Sequence, residues 1–316
     1  MLDGAIIAQV LVDGAANGLV FALVALGYTM VYGIVELINF AHGDVVMLAA
    51  MLALTLIGVF GLDAHGAWLA LIVLIPACAA FGAGVAWSVD RIAYRPLRHA
   101  PKLTVLVTAL GCSFVLANVG LLWGGMPLEV FGGGHAPSSP KSFPDLLPVT
   151  NLLGDDAAVM IGPKEALIAG VTLPLMALLT WFVRGTRLGT AMRACAQNPV
   201  AARLMGIDVD AVISVTFAIG GALAGVAAVI YALYNGAVHF QMGYTLGLMA
   251  FTAAVLGGIG NLPGAVLGGL ALGLLQAATT MWLSSDWTNV VVFGVLILVL
   301  VFRPNGLLGA RVREKV

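Results

Sequence analysis

Long apolar stretches, separated by short polar segments, run through the whole chain. Most of them are long enough for the roughly 17–25 residues that a helix needs to cross a hydrocarbon core. The stretches without Asp, Glu, Lys or Arg are 14–35, 45–62, 64–89, 103–128, 166–183, 211–285 and 287–302. The 75 residues of the stretch 211–285 leave room for three crossings, with turns near 235–244 and 260–263. The pattern predicts an all-α fold, a polytopic membrane helical bundle.

Composition excludes a soluble domain. Of the 316 residues, 61% are hydrophobic and 9% are charged, and the mean hydropathy is +1.06. Soluble chains carry about 25% charged residues. The formal net charge is −1, and the chain has no basic stripe that could contact phosphates, so we expect membrane lipid and no nucleic acid as its surroundings.

Basic residues predict the orientation in the membrane. Clusters at 91–102, 184–203 and 303–315 hold twelve of the 14 Lys and Arg residues. By the positive-inside rule these clusters face the cytoplasm. The connection 124–165 then lies on the other side. It is rich in Gly and Pro, holds five acidic residues against two lysines, and is interpreted as an extracytoplasmic loop with a short packed element.

Counting crossings outward from the basic clusters predicts nine, with the N-terminus outside. If residues 33–44 lie at membrane depth in a broken helix, the number becomes eight or fewer. We treat residues 1–316 as a single membrane domain with an extracytoplasmic loop at 124–165 and a cytoplasmic loop at 184–210.

The cytoplasmic loop 184–210 contains signals for a short helix. Asn198 and Pro199 are typical of a helix start, because Asn caps free N–H groups and Pro lacks a donor that would have no partner there. Gly206 predicts the helix end. Ala194, Asn198, Ala202 and Gly206 recur every four residues, which places small groups on one helical face where a partner's backbone could approach. The alternative is an ordinary connection between membrane helices.

A second polar segment, 33–44, interrupts two apolar stretches. Charged groups at the centre of a bilayer are costly and usually face a cavity or a partner. In a helix, Glu36, Asn39 and His42 would align on one side. One interpretation is a broken helix that lines a substrate path; the other is a solvated cytoplasmic turn. The candidate pathway residues are Glu36, Asn39, Phe40, His42 and Asp44.

Glycines crowd a third segment, 257–273. Several of them have the GxxxG spacing that allows membrane helices to approach closely, and residues 261–264 carry a turn signal. Helix packing within the chain is the favoured interpretation over a direct substrate role. The glycines assigned to packing are Gly257, Gly258, Gly260, Gly264 and Gly268.

The chain lacks the motifs of an enzyme. It has no phosphate-binding loop, no HExxH, no paired CxxC and no GxSxG string, and its five histidines are scattered without ligand spacing. The three cysteines imply no disulfide framework. We therefore expect a transport subunit without a catalytic residue, metal or cofactor of its own.

Three motifs in register resemble the LivH-type permeases of bacterial branched-chain amino acid ABC importers. They are the string 33–43 (GIVELINFAHG), the loop 193–207 (RACAQNPVAARLMGI) and the segment 257–264 (GGIGNLPG). The similarity runs over nearly the whole chain. It implies a multi-pass protein of the bacterial inner membrane that translocates leucine, isoleucine or valine.

The resemblance also implies partners. These are a second, LivM-type permease, two cytoplasmic ATPase subunits that bind ATP and Mg²⁺, and an extracytoplasmic solute-binding protein. It further implies that 194–206 is the coupling segment that rests in a groove of an ATPase. The residues that carry this assignment are Arg193, Ala194, Asn198, Pro199, Ala202 and Gly206.

Other transport functions stay open at this point. Close relatives of the same family carry urea or short amides, and a permease that receives cargo from a binding protein need not hold a tight pocket. A secondary transporter would instead use Glu36, His42 or Asp44 as an ion site and should show inverted repeats, which we do not find. An integral membrane enzyme would need a nucleophile or a metal set.

Overall fold

The computed structural model describes residues 4–35, 39–98, 100–154, 157–303 and 305–309. Within these residues the chain forms eleven α-helices and one small sheet. The helices are α1 (Gly4–Val35), α2 (Ala41–Phe60), α3 (Ala67–Val89), α4 (Lys102–Gly124), α5 (Pro163–Gly185), α6 (Arg187–Gln197), α7 (Pro199–Leu204), α8 (Val209–Asn235), α9 (Met242–Gly257), α10 (Leu262–Trp282) and α11 (Thr288–Phe302). Strands β1 (Lys141–Ser142) and β2 (Ala237–Val238) pair antiparallel.

Eight helices of the described chain are long and apolar enough to cross a membrane. They are α1 to α5, α8, α10 and α11, where short turns extend α3 at its end and α11 at its start. The polytopic helical fold is therefore confirmed. At 16 residues α9 is about 24 Å long, shorter than the hydrocarbon core of about 30 Å. The nine-crossing topology, which counts this helix, stays a prediction.

Helix ends fall where polar side chains or glycines satisfy the backbone. Asp208 precedes α8, and its carboxylate accepts a hydrogen bond from the N–H of Ala211 at 3.0 Å. Asn261 caps α10 in the same way through the N–H of Gly264. After α8, Gly236 adopts φ +68°, a left-handed conformation that favours glycine. These caps turn the chain between apolar helices without leaving the first N–H groups unsatisfied.

The helices form two compact units, each assembled from segments that are distant in sequence. The first comprises the described residues of Met1–Thr29, Val149–Phe182 and Met249–Val316, and the second those of Met30–Pro148 and Val183–Leu248. The assignment of the whole chain to one functional domain stays a prediction.

In the second unit, α3 packs along α8 through glycine. A Cβ on Gly82 would overlap the carbonyl oxygen of Gly221, and one on Gly225 would overlap that of Cys78. The helix backbones therefore touch, as small residues allow in membrane helices. Helix α2 packs against α3, α4 and α8 and supplies much of the buried core of this unit.

In the first unit, α1 and α10 make a similar contact. A Cβ on Gly18 would lie 2.8 Å from the carbonyl oxygen of Gly269, and one on Gly273 would overlap the carbonyl oxygen of Gly14. Beside these glycines, the amide of Asn17 donates to the side chain of Gln276 at 2.9 Å. Close approach and one polar pair thus hold the two helices in register.

The connection 124–165 contains a packed element, as the sequence predicts. Strand β1 in this connection pairs with β2, so that Lys141 lies opposite Val238. The ammonium of Lys141 is buried and donates to the carbonyl oxygens of Phe131 at 3.0 Å and Ala136 at 2.6 Å. The placement of this element on the extracytoplasmic side stays a prediction.

The contact between α3 and α8 predicts opposite effects for two glycines of α3. Gly82→Ala should lower the melting temperature of the purified protein, because overpacking of this kind costs roughly 1–3 kcal/mol. Gly84 is exposed, and a Cβ there has no neighbour within 4 Å. Gly84→Ala should keep or raise the melting temperature, because Ala favours a helix by about 1 kcal/mol over Gly. Thermal unfolding in one detergent measures both; equal shifts would contradict the contact.

Candidate functional site

The loop 184–210 folds into two short helices, α6 and α7. The side-chain oxygen of Asn198 accepts hydrogen bonds from the N–H groups of Val200 and Ala201, both at 3.0 Å, and Pro199 is the first residue of α7. Gly206 follows the helix with φ +83°. The helix start and end predicted from the sequence are therefore confirmed.

The predicted face of small residues in this loop is wrong. Helix α6 ends at Gln197, and Asn198 has an extended backbone (φ −160°, ψ 101°), so Ala194 and Ala202 belong to different helices. The spacing of four has structural meaning only along one continuous helix. Ala202 is also buried within the chain, so a bulky replacement there would disturb the chain's own packing before any partner's.

Helix α7 and the residue after it expose three large apolar side chains beside the exposed Arg203. Val200, Leu204 and Met205 are 66%, 84% and 82% exposed. We call these three residues the α7 apolar surface. Large apolar side chains within a polar loop were a sequence signal that the small-residue spacing obscured. Arg193 on α6 is exposed as well and donates to the carbonyl oxygen of Arg184 at 3.3 Å.

A cluster of charged residues lies beside α7 at the start of α8. Arg98 donates through Nη2 to both oxygens of Asp90, at 2.6 and 2.9 Å, and through Nη1 to Asp210. Asp90 is fully buried and also accepts from the hydroxyl of Ser214 at 2.5 Å. Sequence reasoning missed this cluster, because nothing in the sequence brings positions 90 and 98 next to position 210.

The polar segment 33–44 falls at the junction of α1 and α2. Helix α1 ends at Val35, and Glu36 lies outside the described residues. Asn39 precedes α2 in a non-helical position, so its predicted helical alignment with His42 does not hold. Phe40 directly precedes α2 and is half-buried.

The side chains of this segment are buried. Asn39 is 4% exposed and accepts a hydrogen bond from the hydroxyl of Tyr94 at 2.9 Å, and His42 is 1% exposed. The ring of Tyr94 in turn packs against Phe217 of α8, with centroids 5.3 Å apart. Asn39 thus connects the start of α2 to the turn after α3 through a side-chain hydrogen bond at the interruption between α1 and α2.

Asp44 lies elsewhere than the sequence suggested. It does not lie in a solvated turn, which was one of the two interpretations of 33–44: it is 1% exposed and accepts a hydrogen bond from the hydroxyl of Ser113 on α4 at 2.5 Å. Its position in the first turn of α2 places the carboxylate where the helix dipole stabilises negative charge. Next to it, a Cβ on Gly43 would overlap the carbonyl oxygen of Gly243. Asp44 therefore belongs to a tight contact between helices.

The glycines of 257–273 lie in contacts within the first unit. A Cβ on Gly257 would overlap the carbonyl oxygen of Gly264, and one on Gly268 would overlap that of Ala253. Gly258 and Gly260 have φ values of +104° and +85° in the turn between α9 and α10. These positions explain the glycines by close approach and turn geometry.

No group of three or more His, Cys, Asp or Glu side chains among the described residues could hold a metal ion.

In the loop, burial raises the pKa of the Cys195 thiol above its ordinary value, although Arg203 nearby opposes the shift. Burial also lowers the pKa of His239 below its ordinary value, and its Nδ1 accepts from the N–H of Gln241 at 3.1 Å. Both effects favour neutral side chains.

Comparison with known proteins identifies the family. The family described as branched-chain amino acid transport system, permease component, matches residues 10–300. The chain is 42% identical over 319 residues to the high-affinity branched-chain amino acid transport system permease protein BraD of Pseudomonas aeruginosa, covering 98% of this chain and 97% of BraD. The chain belongs to this permease family.

Other permeases of the family align equally fully. The LivH proteins of Salmonella typhimurium and Escherichia coli K12 are each 39% identical to the chain, over 98% of it and 97% of their own length. No solved structure matches the chain. This permease is a multi-pass membrane protein, and its relatives are transport subunits.

The Asn39 contact predicts a stabilising role for Tyr94 in this permease. Tyr94→Phe removes the donor to a buried acceptor and should lower the free energy of unfolding by about 0.5–1.5 kcal/mol. Tyr244 is 62% exposed, so Tyr244→Phe is a matched control that should have no effect. Thermal unfolding of both purified variants tests this; a Tyr94 variant as stable as wild type would show that the hydrogen bond contributes nothing.

Proposed function

We propose that the chain is the transmembrane permease subunit of an ATP-driven importer for leucine, isoleucine and valine. The observation that carries the proposal is full-length similarity, 39–42% identical, to permeases whose names specify high-affinity branched-chain amino acid transport. Eight helices within the described residues could cross a membrane, which agrees with such a subunit. Relatives named for branched-chain amino acids favour this cargo over urea or short amides.

The energy for import comes from partner subunits in this proposal. The sequence has no phosphate-binding loop, so ATP and Mg²⁺ bind to two cytoplasmic ATPase subunits. A second permease of the LivM type completes the membrane part, and a solute-binding protein delivers cargo from outside the bacterial inner membrane. Exposed apolar side chains on several membrane helices, such as Phe114, Val115 and Leu122 on α4, leave surface for lipid or for the second permease.

The α7 apolar surface is the proposed contact with an ATPase. Val200 and Leu204 on α7 and Met205 directly after it are exposed, and the basic residues predict that this loop lies in the cytoplasm. Exposed apolar groups of this size in an otherwise polar loop are typical of a protein interface. Asn198 and Gly206 act by fixing the ends of α7, and Arg193 and Ala194 lie on the neighbouring α6.

The proposed translocation path passes the junction of α1 and α2. Asn39 and His42 are buried at this junction, with Glu36, Phe40 and Asp44 beside them in the sequence. The burial of Asn39, His42 and Asp44 suits a role in shaping the path more than one in binding cargo from bulk water. A branched-chain amino acid, delivered by its binding protein, then needs no tight site in the membrane.

Reconstitution tests the proposed function. The permease is co-expressed with its three kinds of partner, and the complex is placed in liposomes with ATP inside and a leucine-loaded binding protein outside. We expect leucine accumulation that requires ATP and the binding protein, and no accumulation by the chain alone. Uptake of urea in place of leucine would show that the transported solute is urea or a short amide. Concentrative uptake by the chain alone on an ion gradient would support a secondary transporter.

The α7 apolar surface predicts the effect of a charge at Leu204. Leu204→Asp should reduce leucine uptake by about tenfold or more, because burying an unpaired carboxylate in an apolar contact is costly. The ATPase subunits should also co-purify poorly. Leu153→Asp is the matched control, since Leu153 is 57% exposed in the connection 124–165. Equal leucine uptake by the two variants would show that α7 does not form the contact with the ATPase.

A further inference from the structure

One arginine holds two carboxylates together where α3 ends and α8 begins. Asp90 follows α3 directly, Asp210 lies in the first turn of α8, and Arg98 donates to both. We call Asp90, Arg98 and Asp210 the α3–α8 ion cluster. It lies outside the glycine contacts that hold the middle of the two helices.

The cluster constrains geometry strictly. The Asp90 side chain is fully buried and that of Arg98 is 10% exposed, so neither charge can be left without its partner. A guanidinium presents its donors in a rigid fork, which sets the direction of each bond as well as its length. A buried ion pair is weak evidence for stability. The ion cluster therefore acts mainly by fixing the end of α3 and the start of α8 relative to each other, and less by adding to the stability of the protein.

Asp210 contacts two arginines, Arg98 on its buried side and Arg203 on its exposed side. Its side chain is 34% exposed, and on the outer side Arg203 of α7 approaches to 3.7 Å. Exposed pairs at such distances contribute little because water screens them. The contact with Arg98 on the inner side is the closer of the two and the better shielded.

A short connection joins α7 to the cluster. Only residues 205–208 separate α7 from α8, and within this connection the N–H of Ile207 donates to the carbonyl oxygen of Ala202 at 3.0 Å. The Asp208 cap then fixes the first turn of α8. A displacement of α7 therefore also displaces the start of α8, because the connection is too short and too well bonded to absorb the movement.

We propose that Asp210 is a positioning residue that makes α3 and α8 move together when an ATPase displaces α7. Through Arg98 it ties the start of α8 to Asp90, so that movement at α7 is passed to two packed helices. This inference rests on the proposed function of α7 and concerns the efficiency of coupling. Asp210 touches neither ATP nor cargo.

The test measures ATP hydrolysed per leucine imported by the complete reconstituted importer. Asp210→Asn removes the charge with almost no change of shape and should raise this ratio by about tenfold, within the usual range of coupling between sites. Asp208→Asn is the matched control: it removes the same charge two residues away and keeps an equally good helix cap. Its ratio should stay that of wild type. Asp210→Glu, which keeps the carboxylate, should restore most of the coupling.

A second variant covers the case in which Asp210→Asn fails to assemble. Arg98→Lys keeps every charge, but a lysine ammonium cannot present the fork to both carboxylates. It should assemble and show the same raised ratio. Coupling at the wild-type level in Arg98→Lys, or in an assembled Asp210→Asn importer, would overturn the inference. Failure of the wild-type complex to import leucine would instead overturn the proposed function, and normal uptake by Leu204→Asp would overturn only the proposed contact of α7 with the ATPase.

Discussion

Contact between glycine backbones is the interaction on which each unit of this permease depends. Lipid chains are as apolar as leucine, so the hydrophobic effect cannot drive membrane helices together, and close packing must do so. In one unit Gly82 and Gly225 bring α3 onto α8, and in the other Gly18 and Gly273 bring α1 onto α10. Larger side chains at these positions would remove the contact on which neighbouring polar pairs rely.

Polar groups occupy the places where helices end or join. The junction before α2 is held by Asn39 and Tyr94, and Asn198 and Asn261 cap α7 and α10. The first N–H groups of a helix have no partner within the helix, and a capping side chain supplies one. The same residues that end the helices therefore shape the proposed path and the proposed ATPase contact. This explains why the informative polar residues cluster in so few segments.

The charged residues of the α3–α8 ion cluster are paired with one another, and large apolar side chains are exposed near them in the chain. The α3–α8 ion cluster places two carboxylates on one buried guanidinium, whereas the α7 apolar surface exposes three large apolar side chains. A partner that binds the apolar side would act on a helix whose short connection ends at Asp208 and Asp210. The α7 apolar surface and the ion cluster are thus separated by only a few residues of the chain. Such proximity suits a subunit that transmits force.

Sequence alone determined the membrane class, the positions of the long helices, the helix start at Asn198 and the turn at 261–264, because hydropathy and the capping and turn preferences of single residues are local properties of the chain. It also carried the family, through motifs spread along its length. Which side of α7 faces outward, the burial of Asp44 and the meeting of Asp90, Arg98 and Asp210 were decided only by tertiary structure. These features depend on contacts between distant segments, such as Arg98 with Asp210, 112 positions apart, and periodicity within one segment does not encode them.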